Sequence, residues 1–393
     1  MQIALKRQAP AVATIETAKP AQDLQINAVL QKMAAVAATS PLSIVREYCS
    51  LAFGPGQVSF KEYMQLRLFD RDYYPDKRTV VGWRKNRDLD LTINYRHDWI
   101  GLFANKIASA SYLAAHGFPT IPVLGIYTEN LASPSQHVIA NAEALKAFLR
   151  RPEHYPMFGK PIEGIQSIGS IGLAQYDSGE DRLETIGGEN ILVDDFASDV
   201  LNNFSQGYLF QKFLSPHPVI REVCGNRLAT ARIVTLARDG EPSVFRACWK
   251  IPSGSNMADN YWRPGNLLAQ IDVTTGKVLR AMSGTGLEFA CHSEHPDTKA
   301  PLIGMTLPRW DDLKQTAIEA ARLLRHMPLI GFDMAMSETG PVVVEMNYNP
   351  DFLLNQLADG RGVLDAEFSA FVAEQKRKAA ERTKMIKREI RQL

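Results

Sequence analysis

The sequence predicts an α+β fold, with a largely helical N-terminal region ahead of strand-rich segments. Three observations carry this. Helical spacing with recognisable caps dominates the first hundred residues. Alternating apolar and polar residues separated by turn signals take over after Arg227. Near the C-terminus, Gly331 to Met336 and Val342 to Pro350 flank Glu338-Thr339-Gly340 and read as a β-hairpin with a three-residue loop.

Size and composition bound the rest. The chain has 393 residues, enough for two or three packed subdomains, and its 45% hydrophobic and 22% charged content is that of an ordinary globular protein. A formal net charge of +1 offers no electrostatic reason to expect nucleic acid or an anionic membrane. No apolar run is long enough for a membrane span, and no apolar stretch follows Lys6 and Arg7 as a secretory signal would require. Cys49, Cys224, Cys248 and Cys291 lack C-x-x-C spacing and read as reduced thiols, which points to the cytoplasm.

In chain order, residues 1–20 read as a flexible, Ala- and Pro-rich terminus, and 21–105 as a mostly helical region. Within it, Asp23 to Ala38 forms an amphipathic helix, and Pro41 opens a second that runs to Ala52. Ser59 caps a third running through Phe69, with Glu62 at the capping-box position. Asp70 to Tyr95 is dense in charge and reads as solvated surface. Asn105 to Leu113 is a helix opened by Lys106, and Ile121 to Tyr127 a strand. Another helix spans Asn141 to Leu149.

Met157 to Pro161 is a strand carrying Lys160. A loop with Gly164, Ser167, Gly169 and Ser170 follows it. Spaced glycines let backbone N–H groups close on phosphate oxygens while lysine adds a mobile charge; without G-K-[ST] this is no Walker A loop, and a glycine-rich hairpin would look the same. Asp195 to Phe204 is helical and Tyr208 to Leu214 a strand. Arg227 to Leu236 alternates, placing Thr230, Arg232 and Val234 on one face, and Asp239-Gly240 turns the chain into Pro242 to Lys250. Ile271 to Leu279 is another hairpin. Cys291-His292-x-x-His295 offers too few ligands for a structural zinc. Trp310 to Met327 is a long helix, and 367–393 a charged helix.

In the C-terminal hairpin the three-residue loop sets Asp333 across from Glu345. Asp333, Ala335, Val343, Glu345 and Asn347 then share one face, with Phe332, Met334, Met336, Val342, Val344 and Met346 on the other. Two carboxylates side by side repel unless a cation lies between them, and hard oxygen ligands beside an amide suit Mg²⁺ or Mn²⁺ bound with a nucleotide's phosphates. A solvated polar face on an edge hairpin is the alternative.

G-F-D-M-A…G-P-V-V-V-E-M-N-Y-N-P resembles the metal-binding end of the ATP-grasp enzymes, in particular the sugar-transfer-associated, hexapeptide-transferase-related branch. The resemblance covers roughly Lys106 to Leu364 and implies two α+β lobes clasping ATP: a small lobe with a glycine-rich flap over 106–215 and a large lobe with the metal hairpin over 216–366. It implies that Asp333, Glu345 and Asn347 hold Mg²⁺ or Mn²⁺ on ATP. Lys106 and Lys160 would bind phosphates, with Gly164, Ser167 and Gly169 closing over them. Gln211, Lys212, Phe213 and Leu214 would meet the adenine, although the family more often has glutamate where Gln211 stands. Arg232 would stabilise the transition state, and Asn266 falls in the family's acceptor-side segment.

The implied reaction is ADP-forming ligation of a small-molecule carboxylate to an amine, with Lys160 and Arg232 as the catalytic cations. An ATP-dependent phosphotransferase and a nucleotide-binding accessory protein of glycan or secondary-metabolite synthesis are the alternatives. Neither a nucleic-acid partner nor a membrane span is expected; a homodimer is compatible with the sequence.

Overall fold

A computed structural model describes residues 26–128, 138–162, 169–204 and 206–390. The expected flexible terminus, Gly164 and Ser167 lie outside the described residues. The chain divides into two compact units: Pro122–Phe213, and a larger one in which Gln22–Ile121 joins Leu214–Leu393. The sequence boundary at Lys106 therefore differs from the structural one, because the lysine-bearing helix clusters with the larger unit.

Among the described residues six α-helices come first: α1 (Ile26–Val36), α2 (Pro41–Ala52), α3 (Phe60–Gln65), α4 (Trp83–Ile93), α5 (Ile100–Ala104) and α6 (Lys106–Ala115). Local chemistry sets their ends. The Ser40 hydroxyl accepts from Ser43 N–H ahead of Pro41, and Ser59 and Glu62 close a reciprocal capping box. The Asn105 side chain accepts from the N–H groups of Ile107 and Ala108, so Lys106 starts α6. Pro41, the Ser59–Glu62 box and the helix opened by Lys106 match the sequence signals, the sequence reading missed the Ser40 and Asn105 caps, and α3 ends earlier than Phe69.

The smaller unit contains β1 (Val123–Tyr127), β2 (Val138–Ile139), α7 (Ala142–Leu149), β3 (Met157–Pro161), β4 (Ile171–Asp177), β5 (Arg182–Thr185), β6 (Asn190–Leu192), α8 (Val193–Asn203) and β7 (Tyr208–Lys212). Its sheet runs β2-β1-β7-β3-β4-β5-β6. Met157, Leu173, Tyr208 and Phe210 point to one side, where Leu145, Leu149, Phe196 and Val200 of α7 and α8 cover them. Lys160 pairs with Leu209 and Phe158 with Gln211, so Lys160 and Gln211 share the opposite face.

The remaining elements return to the larger unit: α9 (Pro218–Cys224), β8 (Thr230–Arg238), β9 (Glu241–Ile251), β10 (Leu267–Ile271), β11 (Val278–Ser283), β12 (Ala290–Cys291), α10 (Trp310–Leu323), β13 (Leu329–Ser337), β14 (Gly340–Asn347), α11 (Phe352–Asp359) and α12 (Ala366–Ile390). The sheet order is β12-β11-β10-β9-β8-β13-β14. One face is apolar: Ile233, Trp249, Phe332, Met334 and Met346 pack under Trp310, Leu313 and Ala317 of α10. The other face is covered in part by α11, whose Leu353, Leu354 and Leu357 meet Leu268 and Met282.

The β13–β14 hairpin departs from expectation in its loop. Ser337 pairs with Gly340, leaving a two-residue turn, and a bulge at Val344 restores the register so that Asp333 still faces Glu345. Parity is reversed between bulge and turn. Val343 pairs with Met334 and joins the apolar core, while Val342 pairs with Ala335 on the other side, the reverse of the expected assignment.

The charged stretch before residue 95 is not simply solvated. Asn86, Asp90 and Asn94 are all buried, and α4 grips the chain as it leaves the hairpin. Asn86 Nδ2 donates to Asn349 Oδ1 (2.8 Å) and to Asp90 Oδ2 (2.7 Å), and its Oδ1 accepts from Phe352 N–H (3.0 Å). Asn94 exchanges hydrogen bonds with Leu329 N–H and C=O, and donates to Tyr348 O (2.9 Å). Burial raises the Asp90 pKa well above its usual value, with Asn86 opposing and Asp351 adding to it.

Candidate functional site

Pairing across four strands builds one polar face in the larger unit. Thr230 lies opposite Lys250, Arg232 opposite both Cys248 and Asp333, Asp333 opposite Glu345, and Gly331 opposite Asn347. Partners in an antiparallel pair share a face, so Thr230, Arg232, Lys250, Asp333, Glu345 and Asn347 converge at one end of the sheet.

Asp333 is the hub. Arg232 grips it through Nε on Oδ1 and Nη2 on Oδ2 (3.0 Å), and Lys250 Nζ donates to Oδ2 at 3.1 Å. All three are buried, with side-chain exposures of 6% for Asp333, 11% for Arg232 and 8% for Lys250. Burial pushes the Asp333 pKa up, but the Arg232 and Lys250 charges outweigh it and hold the carboxyl well below the usual range. Arg232 and Lys250 are in turn raised despite burial, Arg232 by Asp333 and Lys250 by Asp259 and Asp333. The hub is an ionised carboxylate between two cations.

Lys250 and Asp259 are functional candidates that the sequence reading missed. Asp259 comes from the loop after β9. It accepts from the Thr230 N–H (2.7 Å) and hydroxyl, and stands 3.6 Å from Lys250 Nζ. Burial raises its pKa, against the pull of Lys250. Asn266 holds this loop in shape: its Oδ1 accepts from Ser253 N–H (3.0 Å), and its Nδ2 donates to the carbonyls of Ala258 and Asn260 (2.8 Å each). The amide expected near an acceptor is thus engaged within its own loop, where it positions Asp259. His295, also buried, accepts this structural duty at the loop's start through a 3.0 Å contact with Pro252 O, and His292 bonds Ser283 at 2.7 Å.

Glu345 is one-third exposed, and Lys106 Nζ approaches its Oε1 at 3.8 Å. The structure therefore brings Lys106, Arg232, Asp333, Glu345 and Asn347 to one place. Asn347 Nδ2 is buried without a hydrogen-bond partner, and exchanging the amide's two ends would present an oxygen in its place. A carboxylate offers about four lone-pair positions. Asp333 fills two on Oδ2 and one on Oδ1, which leaves a position on Oδ1. Glu345, the Asn347 amide and Asp333 Oδ1 thus form an oxygen-donor set suited to a hard divalent cation completed by phosphates and water. Among the described residues no three His, Cys, Asp or Glu side chains cluster as a self-sufficient metal site.

The other sequence candidates lie in the smaller unit or at its edge. Lys160 is half-buried on β3 and Gln211 is buried on β7. The Lys212 N–H donates to Pro122 O (2.9 Å) and the Phe213 N–H to Pro156 O (3.2 Å), so both amides are engaged by backbone. Leu214 begins the larger unit's second segment. Gly169 has φ of 80°, its carbonyl accepts from the Tyr208 hydroxyl (2.6 Å), and a Cβ there would lie 2.5 Å from the Phe204 ring. Its glycine character is thus required by packing.

The profile of the sugar-transfer associated ATP-grasp family matches residues 84–369. A sequence search of curated proteins finds no match. Among solved structures, the D-alanine-D-alanine ligase from Coxiella burnetii is 11% identical with a TM-score of 0.41, over 73% of this chain and 60% of its own. The L-amino acid ligase from Bacillus licheniformis is 12% identical with a TM-score of 0.34, over 66% of this chain and 43% of its own. A D-cycloserine synthetase is 17% identical with a TM-score of 0.40, over 76% of this chain and 82% of its own. The chain thus spans less than two thirds of the first two ligases. With the profile matching well over half of its length, the chain belongs to the sugar-transfer associated ATP-grasp family, and its α+β architecture is the ATP-grasp fold.

Proposed function

We propose that this chain is an ATP-dependent ligase that activates a carboxylate as an acylphosphate and joins it to an amine, releasing ADP and phosphate. The observation that carries the reading is the convergence of Lys106, Arg232, Lys250, Asp333, Glu345 and Asn347 on one polar sheet face in a member of an ATP-grasp family.

In this reading Glu345, Asn347 and Asp333 Oδ1 hold Mg²⁺ or Mn²⁺. When bound, the cation neutralises charge on the β- and γ-phosphates. Arg232 commits two of its five N–H donors to Asp333, which fixes the guanidinium plane and aims the remainder at the transferring phosphoryl group. Lys106 supplies a further cation, and Lys160, Gln211, Lys212 and Phe213 of the smaller unit, with Leu214 of the larger, are assigned to the nucleotide. The substrate carboxylate attacks the γ-phosphorus and the bond to the β-phosphate oxygen breaks, freeing ADP. The amine then attacks the acyl carbon, loses a proton, and phosphate leaves. No protein nucleophile takes part. No single described helix is long and apolar enough to cross a membrane, and the free thiols support a cytoplasmic setting.

The test is Mg²⁺-dependent ADP release with pooled amino acids and amines, comparing wild type with Glu345→Gln. Stimulated release that the variant loses, with an amide-bearing product by mass spectrometry, is the expected result. A phosphorylated acceptor with no condensed product would replace the ligase by a phosphotransferase. Absence of ATP binding by a folded wild type would overturn the nucleotide reading altogether.

A further inference from the structure

The 25-residue helix α12 plays two structural parts. Its first half is a docking element. Phe368, Phe371 and Val372 are buried with Leu89 and Ile93 of α4 and Val234 and Leu236 of β8, and Gln375 is buried beside them. Ion pairs continue the attachment: Arg238 with Glu367 at 2.9 Å, and Lys378 with Asp239 at 3.8 Å. Every residue from Thr383 to Ile390 is exposed. Eight residues at 1.5 Å each make an extension of about 12 Å.

This extension keeps the pattern of the docked half. At 100° per residue, Phe368, Val372, Gln375, Ala379, Ile386 and Ile390 fall on one stripe. The stripe is buried where it meets the sheet, but Ile386 and Ile390 remain 36% and 65% exposed, with Met385 at 50% to one side. Around it the charge is one-sided: between Lys376 and Ile390 there are seven lysines and arginines against Glu381 and Glu389. The chain's near-neutral total of +1 conceals this local excess.

We propose that the projecting half of α12 is a surface anchor that lies on an anionic lipid bilayer, with Ile386 and Ile390 entering the acyl boundary and the flanking cations meeting phosphate headgroups. The chemistry favours lipid over the other occupants. A second copy of the helix would bring two strongly basic segments together, and like charges oppose that contact. Nucleic acid needs the cations but has no use for an aliphatic stripe, and no aromatic residue that could stack on a base occurs from Ala373 to Ile390. A protein groove that receives a helix usually takes bulky anchors over successive turns. Here Ala379 and Thr383 interrupt the series, and only the last two turns carry large apolar groups. Shallow insertion of a few aliphatic side chains ringed by snorkelling lysines and arginines is the pattern of interfacial helices.

The experiment is co-sedimentation of the full chain with vesicles of phosphatidylcholine alone and of phosphatidylcholine mixed with phosphatidylglycerol. Ile386→Ser/Ile390→Ser and Lys384→Gln/Lys387→Gln/Arg388→Gln are compared with wild type, and circular dichroism checks each fold. Wild type should sediment with the anionic vesicles only and be released by salt; each variant should lose about tenfold or more in partitioning. Equal binding to both vesicle types, or binding unchanged in both variants, would overturn the proposal. So would lipid-independent self-association that the isoleucine variant abolishes, which would make a second copy the occupant. Retention on a nucleic-acid column that only the cation variant loses, without vesicle binding, would likewise assign the segment elsewhere.

Discussion

Lys250→Met tests the charge hub directly, because it removes a buried cation while keeping much of the side chain's bulk. In the native site Lys250 Nζ lies 3.1 Å from Asp333 and 3.6 Å from Asp259. At an effective dielectric of about 20, each contact is worth about 5 kcal/mol of gross attraction. Burying the ammonium costs several kcal/mol of that, and methionine removes the cost along with the attraction. What remains is asymmetric. Asp333 keeps its two bonds from Arg232, whereas Asp259 keeps only Thr230. Stranding one buried carboxylate in this way should destabilise the larger unit by about 3–5 kcal/mol near neutral pH. Asp259 already has a folded pKa raised by burial, and loss of Lys250 raises it further. A raised carboxyl favours the folded state while it is protonated and loses that advantage as pH rises. The penalty should therefore be small in acid and grow towards neutrality. Denaturant unfolding of the larger unit at several pH values, with Asp259→Asn and the double variant, closes the cycle. A penalty that is flat with pH, or one that Asp259→Asn fails to relieve, would refute the reasoning.

Three further outcomes follow from other parts of the molecule. Asn86→Ala removes the bonds that tie α4 to Asn349 and Phe352, and should cost about 3 kcal/mol together with part of the ATP-dependent turnover; a stability loss with unaltered turnover would show that α4 supports the fold alone. Asp359 is raised from 3.8 to about 6, chiefly by burial against the pull of Arg246. Its contribution is complete below 3.8 and disappears as pH rises through about 6, a swing of about 3 kcal/mol. Stability of Asp359→Asn, followed by thermal melts from pH 4 to 7, should lack that slope. Gly169→Ala forces a side chain onto the Phe204 ring at positive φ, and should lower the smaller unit's unfolding midpoint by the equivalent of about 2 kcal/mol or more; an unchanged midpoint would mean that the ring yields freely.

Local chemistry was the legible part of the sequence. Ser59 and Glu62 announced their capping box, Lys106 the start of α6, and the spacing of Asp333 and Glu345 the pairing that places them face to face. Strand bulges were not legible. In the β8–β9 hairpin, Asp239 and Gly240 form a two-residue turn, and an unbroken register from it would set Arg232 against Ala247, with Lys250 on the apolar side. A bulge at Phe245 shifts the pairing, so Arg232 meets Cys248 and Lys250 arrives on the polar face. A bulge depends on how neighbouring strands twist together, and no residue in the hairpin marks it. Val344 shows the same limit: Glu345 was placed correctly, but through a longer loop than the chain uses, and Val342 and Val343 were exchanged. The role of Asn86 and Asn94 was hidden for another reason. Their partners lie more than 230 positions away, at Leu329 and Asn349, and adjacent charged residues made the segment look like surface.

The family profile begins at Arg84, one residue into α4, yet the chain's hydrogen bonds do not respect that border. Just ahead of it, Val81 N–H donates to Gln356 Oε1 (2.8 Å) and Val81 C=O accepts from Gln356 Nε2 (2.9 Å), a two-way exchange with a buried side chain of α11. A protein cut to start at residue 84 would keep every recognised motif and still leave Gln356 with its amide exposed to a void. What descent preserves as one recognisable block and what must fold as one piece are therefore different lengths of this chain. Transplanting the matched segment alone into another protein should fail, because it leaves behind Val81 and the residues from Met33 to Val80 that share a core with Leu268, Leu353 and Leu357.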